Sequence, residues 1–75
     1  MTLQQLTYLT KVAECGNITE AAEQLYISQP SLSTAITNLE KEMGVTAFLR
    51  TKKGVIITQE GEELLSFARQ LLEQA

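Results

Sequence analysis

Between positions 28 and 38 the chain carries Ser28, Gln29, Ser31, Ser33, Thr34, Thr37 and Asn38, with Pro30 among them. Hydroxyl and amide groups both donate and accept hydrogen bonds, and all of these side chains are short. Placed on one face of a helix, they suit a groove lined by base edges. A glutamine pairs in two places with adenine N7 and N6, and an apolar ring touches a thymine methyl. Further on, Arg50, Lys52 and Lys53 put three of the six cations of the chain into four residues. Such a cluster neutralises phosphates, which position a duplex without reading it. Other chemistry is missing. The chain has no histidine, no aspartate and one cysteine. That rules out a nucleophile–base pair, the usual zinc sites and an internal disulfide. There is no glycine-rich phosphate loop either, so neither an enzyme nor a cofactor or metal site is expected.

A reading face needs helices to hold it. Ile18 to about Leu25 forms one short helix, with Asn17 as its N-cap and Glu20 at capping-box spacing. Tyr26 and Ile27 make a tight turn. Ser28 then caps a third helix over about 29–43, and Pro30 sits in the first turn, where no amide hydrogen is needed. Ala21 and Ala22 allow close approach of the two helices. Leu25, Ile27, Leu32, Ile36, Leu39 and Met43 supply apolar contacts, and Gly44 ends the third helix. Ahead of this pair, Leu3, Leu6, Leu9, Val12 and Ala13 recur at three- and four-residue steps, so 2–15 reads as an amphipathic helix closed by Gly16. Two helices joined this way, the second with a small polar outer face, form a helix-turn-helix.

Past Gly44 the pattern changes. Val45 to Leu49 is apolar, Arg-Thr-Lys-Lys-Gly at 50–54 reads as a polar turn, and Val55-Ile56-Ile57 is β-branched. Two short strands around a lysine turn make a wing. Thr58 caps a last helix whose early glutamates suit the positive end of its dipole. The fold class is therefore mostly α: a winged helix-turn-helix with a three-helix core over 1–58 and a linker helix starting at 59–75. Leu64, Leu65, Ala68, Leu71 and Leu72 cover a wide stripe of that helix, and the pairs 64/71 and 65/72 and the series 61/68/75 recur at seven residues. Either the domain buries both sides itself or a second copy covers one of them. A symmetric homodimer through this helix is the expectation.

Charge qualifies the picture. The 75 residues carry a net −3, whereas nucleic-acid-binding domains are usually basic. Positions 1–59 hold five cations against five glutamates, a net of zero; 60–75 hold Arg69 against Glu60, Glu62, Glu63 and Glu73, a net of −3. The acidic excess is confined to the last helix, so a basic wing on a neutral body still grips phosphates. With 44% hydrophobic residues the chain suits a globular fold. No apolar run is long enough to span a bilayer and no secretory pattern opens the chain, so a cytoplasmic location is expected.

Several residues have a plainer reading beside the functional one. Ser28 reads first as a cap and second as a contact. Cys15 reads as inert, because a redox sensor needs a lowered pKa. Tyr8 and Tyr26 read as core or turn packing.

The chain resembles the N-terminal DNA-binding domain of LysR-type transcriptional regulators along essentially its whole length. Leu3-Gln4-Gln5-Leu6-x-Tyr8-Leu9 is similar to the family's first helix, and Ala21-Ala22-x-x-Leu25 to the next. Ser28-Gln29-Pro30-Ser31-Leu32-Ser33-x-x-Ile36-x-x-Leu39-Glu40-x-x-x-Gly44 looks like the central motif; Phe48-x-Arg50 and Thr58-x-x-Gly61-x-x-Leu64 look like the wing and linker start. The resemblance implies a bacterial winged helix that dimerises through the helix beginning near Thr58. It implies binding to partly palindromic double-stranded promoter DNA as dimers or tetramers, with a small-molecule inducer held by a larger C-terminal domain that this chain lacks. The chain is accordingly expected to be a fragment of a longer regulator. A protein-interaction winged helix, or a short competitor of a full-length regulator, is the alternative. Gln29, Pro30 and Ser33 match family positions that meet base edges, and Arg50 and Lys53 match wing positions that meet phosphates. Thr34 and Gln4 stand where the family often has a cation, and Ser31 where it commonly has alanine.

Overall fold

The computed structural model describes residues 2–74, in the order α1 (Leu3–Cys15), α2 (Ile18–Leu25), α3 (Gln29–Met43), β1 (Phe48–Thr51), β2 (Gly54–Ile57) and α4 (Gln59–Gln74). Helix α1 begins one residue later than its periodicity suggests, because Thr2 is its cap. The Thr2 hydroxyl accepts the Gln5 N–H at 3.0 Å, and the Gln5 side chain accepts the Thr2 N–H at 3.0 Å. These reciprocal bonds satisfy donors that the first turn leaves open. Asn17 starts α2 by accepting the Glu20 N–H at 2.9 Å, and Ser28 starts α3 by accepting the Ser31 N–H at 3.2 Å.

The tight turn between α2 and α3 closes unusually. Tyr26 takes the left-handed conformation with φ 58°, the one non-glycine among the described residues to do so. Its N–H donates to the Glu23 carbonyl, and the Ile27 N–H donates to the Ala22 carbonyl. This is the paired closure that glycine usually makes; a tyrosine there costs about 1 kcal/mol. The side chain is 95% exposed, so it serves the turn through its backbone and does no packing, contrary to the expectation from sequence.

Three helices enclose the core. Leu6, Leu9 and Val12 of α1 meet Ile18, Ala21 and Ala22 of α2 and Leu32, Ile36 and Leu39 of α3, with no buried polar side chain among the described residues. The apolar stripes overrun this core at both ends. Leu3 is 55% exposed and Met43 41%. Periodicity gives the direction of a stripe, not how much of its length a neighbour covers.

The wing is an antiparallel pair in the register Phe48↔Ile57, Leu49↔Ile56, Arg50↔Val55 and Thr51↔Gly54. The turn is therefore shorter than the 50–54 expected, since Arg50 and Thr51 lie within β1 and Gly54 opens β2. Strand alternation turns Phe48, Ile57, Arg50 and Val55 to one face, and leaves Leu49 and Ile56 paired and exposed on the other. The hairpin is tied to the body at Gly54–Val55. The Val55 N–H donates to the Gly16 carbonyl at 3.0 Å, and a Cβ on Gly54 would stand 2.2 Å from that same oxygen. Gly54 also has φ +146°, so no other residue fits the junction without strain.

Helix α4 is capped by the Thr58 hydroxyl, which accepts the Gly61 N–H at 2.9 Å, and it packs along α1. Leu64 and Ala68 join the core, so packing continues across the boundary expected at 58/59. Part of the expected seam is already covered within one chain. Leu64, Leu65 and Ala68 are buried within the single chain, while Leu71 and Leu72 are half-buried against the same core. Spacing of seven marks a stripe without saying whether the chain's own α1 or another copy covers it. Phe67, at 46%, is the large apolar side chain that α4 leaves exposed. Ala75, the last member of the 61/68/75 series, lies outside the described residues.

Candidate nucleic-acid interface

Helix α3 turns Leu32, Ile36 and Leu39 inward, which sends Pro30, Thr34 and Lys41 outward and leaves a flank on either side. Lys41 stands in the last turn, where a cation meets the negative end of the dipole. The flank carrying Ser33, Thr37 and Glu40 faces the wing. Arg50 reaches back from β1 and donates from Nη2 to the Ser33 hydroxyl. Two turns further along α3, Glu40 Oε2 accepts the Ala47 N–H at 2.7 Å and the Phe48 N–H at 3.3 Å. Thr37 lies between them in a cleft shared with Glu40, Val45 and Phe48, half-buried rather than on the open face.

The other flank faces the start of α1. Thr34 and Asn38 line a groove of about 560 Å³ with Pro30, Ser31, Ala35, Gln4 and Tyr8, and no cationic side chain among the described residues borders it. Tyr8, expected as core packing, packs partly against the core and also forms a wall of this groove. Among the described residues, no hydrogen bond engages the side chains of Gln4, Thr34 or Asn38.

The sites singled out from sequence divide by how they are engaged. Ser28 both caps α3 and donates its proton to the Ser31 hydroxyl at 2.8 Å, so its hydroxyl is largely spent. Ser31 accepts that proton and keeps its own to donate; Ser33, accepting from Arg50, is left in the same state. Gln29 is half-buried at the mouth of a smaller cleft with Arg50, Lys52 and the first residues of α2, and its amide has no partner among the described residues. Lys52 and Lys53 form the exposed tip of the wing. The Lys53 N–H is held by the Thr51 hydroxyl at 3.3 Å, and that hydroxyl donates to the Gly54 carbonyl at 3.1 Å.

Sequence reasoning passed over Glu40, which appears in it only as a letter of a motif. No periodicity signals a carboxylate that bonds seven and eight residues ahead, because the chain must first reverse at Gly44. The N–H of Gly44 donates to the Lys41 carbonyl and that of Val45 to the Glu40 carbonyl, which makes the reversal. Cys15 shows no sign of activation. Burial pushes its thiol above the usual value, Glu20 and Glu14 add to the rise, and Lys11 opposes it.

A helix-turn-helix whose second helix is flanked by a two-strand hairpin defines the winged-helix class of DNA-binding domain. The chain belongs to the lysR family of bacterial regulatory helix-turn-helix proteins, whose sequence signature matches residues 3–62. It is 43% identical over 74 residues to the nitrogen assimilation regulatory protein nac of Klebsiella aerogenes, covering 99% of this chain and 24% of that protein. It therefore spans about a quarter of the length of such relatives. Its structure is similar to that of the CbnR DNA-binding domain in complex with DNA, with TM-score 0.96 and 38% identity over 99% of this chain and 85% of that one. The BenM DNA-binding domain bound to catB site 1 DNA matches with TM-score 0.93 and 39% identity, over 99% and 80% of the two chains. These likenesses make the chain a LysR-type DNA-binding domain and do not favour the protein-interaction alternative. No described helix is long and apolar enough to cross a membrane.

Proposed function

We propose that this domain reads promoter DNA with the first two turns of α3 in the major groove. Gln29 and Pro30 meet base edges there, with Ser31, Ser33 and Thr34 beside them, while Arg50, Lys52 and Lys53 of the wing meet phosphates. The observation that carries this reading is the free Gln29 amide, set between an outward Pro30 and the cationic wing. Ser28 serves as the cap, and Thr37 braces the wing cleft. A second copy completes the module through α4. Phe67, with the half-buried Leu71 and Leu72, supplies the apolar contact, while Leu64, Leu65 and Ala68 stay inside each chain. In the whole regulator, working in the cytoplasm, a further domain would bind the inducer.

Binding to an operator selected from random duplexes, measured over a range of salt, tests the proposal. The logarithm of the affinity should fall with that of salt at about −0.9 per phosphate neutralised. Light scattering on the same samples should give the mass of two chains. A flat salt response would overturn phosphate neutralisation by the wing, and a single-chain mass at all concentrations would overturn the α4 pairing.

A further inference from the structure

Glu40 is an acidic residue on the helix that approaches a polyanion, and charge alone would make it a liability there. Its geometry gives another role. Ala47 is fully buried and Phe48 nearly so, and their N–H groups point to one oxygen, Glu40 Oε2, at 2.7 and 3.3 Å. One oxygen accepting both amide protons satisfies two donors that burial would otherwise leave unpaired at a cost. These are the residues at which the chain enters β1. The Arg50–Ser33 bond is the second point at which β1 meets α3. Ser33 and Glu40 are seven residues apart on one flank, about 10 Å along a helix. Ala47 and Arg50 are three residues apart along an extended chain, about the same length. Two anchors thus tie the start and the middle of β1 to α3, in reverse order along the helix.

We propose that Glu40 is a positioning residue for DNA binding: its carboxylate sets the angle at which the wing leaves α3, and so where Arg50, Lys52 and Lys53 meet the duplex. The inference rests on the reading that these cations contact phosphates. In this role the reach of the acidic side chain matters to DNA affinity and its charge does not.

Two variants separate reach from charge. Glu40→Gln keeps the length and an acceptor oxygen but loses the charge; Glu40→Asp keeps the charge and is one methylene shorter. Binding of each to random-sequence duplex DNA is measured against salt, with thermal melting and amide exchange on the same samples. Glu40→Gln should bind at least as tightly as the parent chain with the same salt slope. Glu40→Asp should bind more weakly, its slope flatter by about 0.9 for each wing cation withdrawn from a phosphate, with faster exchange at Ala47 and Phe48. If Glu40→Asp binds like the parent, the proposal fails; it also fails if Glu40→Gln loses the slope. Joint replacement of Lys52 and Lys53 by alanine in the parent serves as the reference. An unchanged slope there would overturn the phosphate reading of the wing itself, and Glu40's role with it. A flattened slope there, combined with an unaffected Glu40→Asp, would overturn the role of Glu40 alone.

Discussion

The two flanks of α3 are built on opposite plans. On the wing side, Ser33 and Glu40 are already bonded to β1, and three cations stand on the hairpin they hold. On the α1 side, Gln4, Thr34 and Asn38 border an open groove; among the described residues their side chains are unengaged and no cationic side chain lines it. The first plan preorganises: side chains held before binding lose little entropy when the duplex arrives. The second leaves amides and hydroxyls free to adapt to base edges, and they must be ordered on contact. Affinity should therefore come mostly from the wing side, and discrimination among sequences from the free amides on and beside α3.

The largest test of that division is Gln29, whose free amide stands on the wing side but has the chemistry of a base reader. Gln29→Ala should weaken operator binding by roughly 1–3 kcal/mol and leave random-duplex binding nearly intact. Fluorescence anisotropy with both duplexes at one salt concentration measures it. Equal losses on the two would make Gln29 part of the backbone grip and would erase the distinction between the flanks.

The two plans were not equally legible in the sequence. Caps announce themselves because a short polar residue must precede each helix; Asn17, Ser28 and Thr58 all do so. The reading face followed from the three-and-four spacing of Leu32, Ile36 and Leu39, which fixes what points away. Helix α4 was harder, since Leu64 and Ala68 look alike whether α1 or a second chain covers them. The wing-side bonds were not legible at all. Glu40 to Ala47 and Arg50 to Ser33 depend on where β1 lies in space, and local spacing does not encode that. The turn at Tyr26 likewise hides its strain, because nothing in the residue type advertises a left-handed backbone.

Preorganisation on the wing side has a measurable signature of intermediate size. If Arg50 and Ser33 act as one unit, removing either should disable both. Arg50→Ala and Ser33→Ala should each weaken DNA binding, and the double variant should lose less than their sum by at least ~0.5 kcal/mol. A guanidinium donating to Ser33 leaves the hydroxyl proton to point away from it, free to donate, and polarises that O–H. Strict additivity, measured in a double-mutant cycle on one operator, would mean that the two residues meet DNA independently.

The smallest expected effect falls on the α1 side. Thr34→Arg places a cation on the border of a groove that no cationic side chain among the described residues lines, where the outward position of Thr34 leaves room for a long side chain. A new phosphate contact would steepen the salt slope by about 0.9 per copy and tighten random-duplex binding. A new base contact would instead favour guanine at one operator position, because a guanidinium pairs in two places with guanine O6 and N7. Selection of bound sequences by the parent and the variant at matched salt distinguishes the two. Either outcome makes the α1 flank resemble the wing flank by one charge. If neither the slope nor the selected sequence changes, Thr34 lies beyond the reach of the duplex, and the groove beside α1 has no part in reading it.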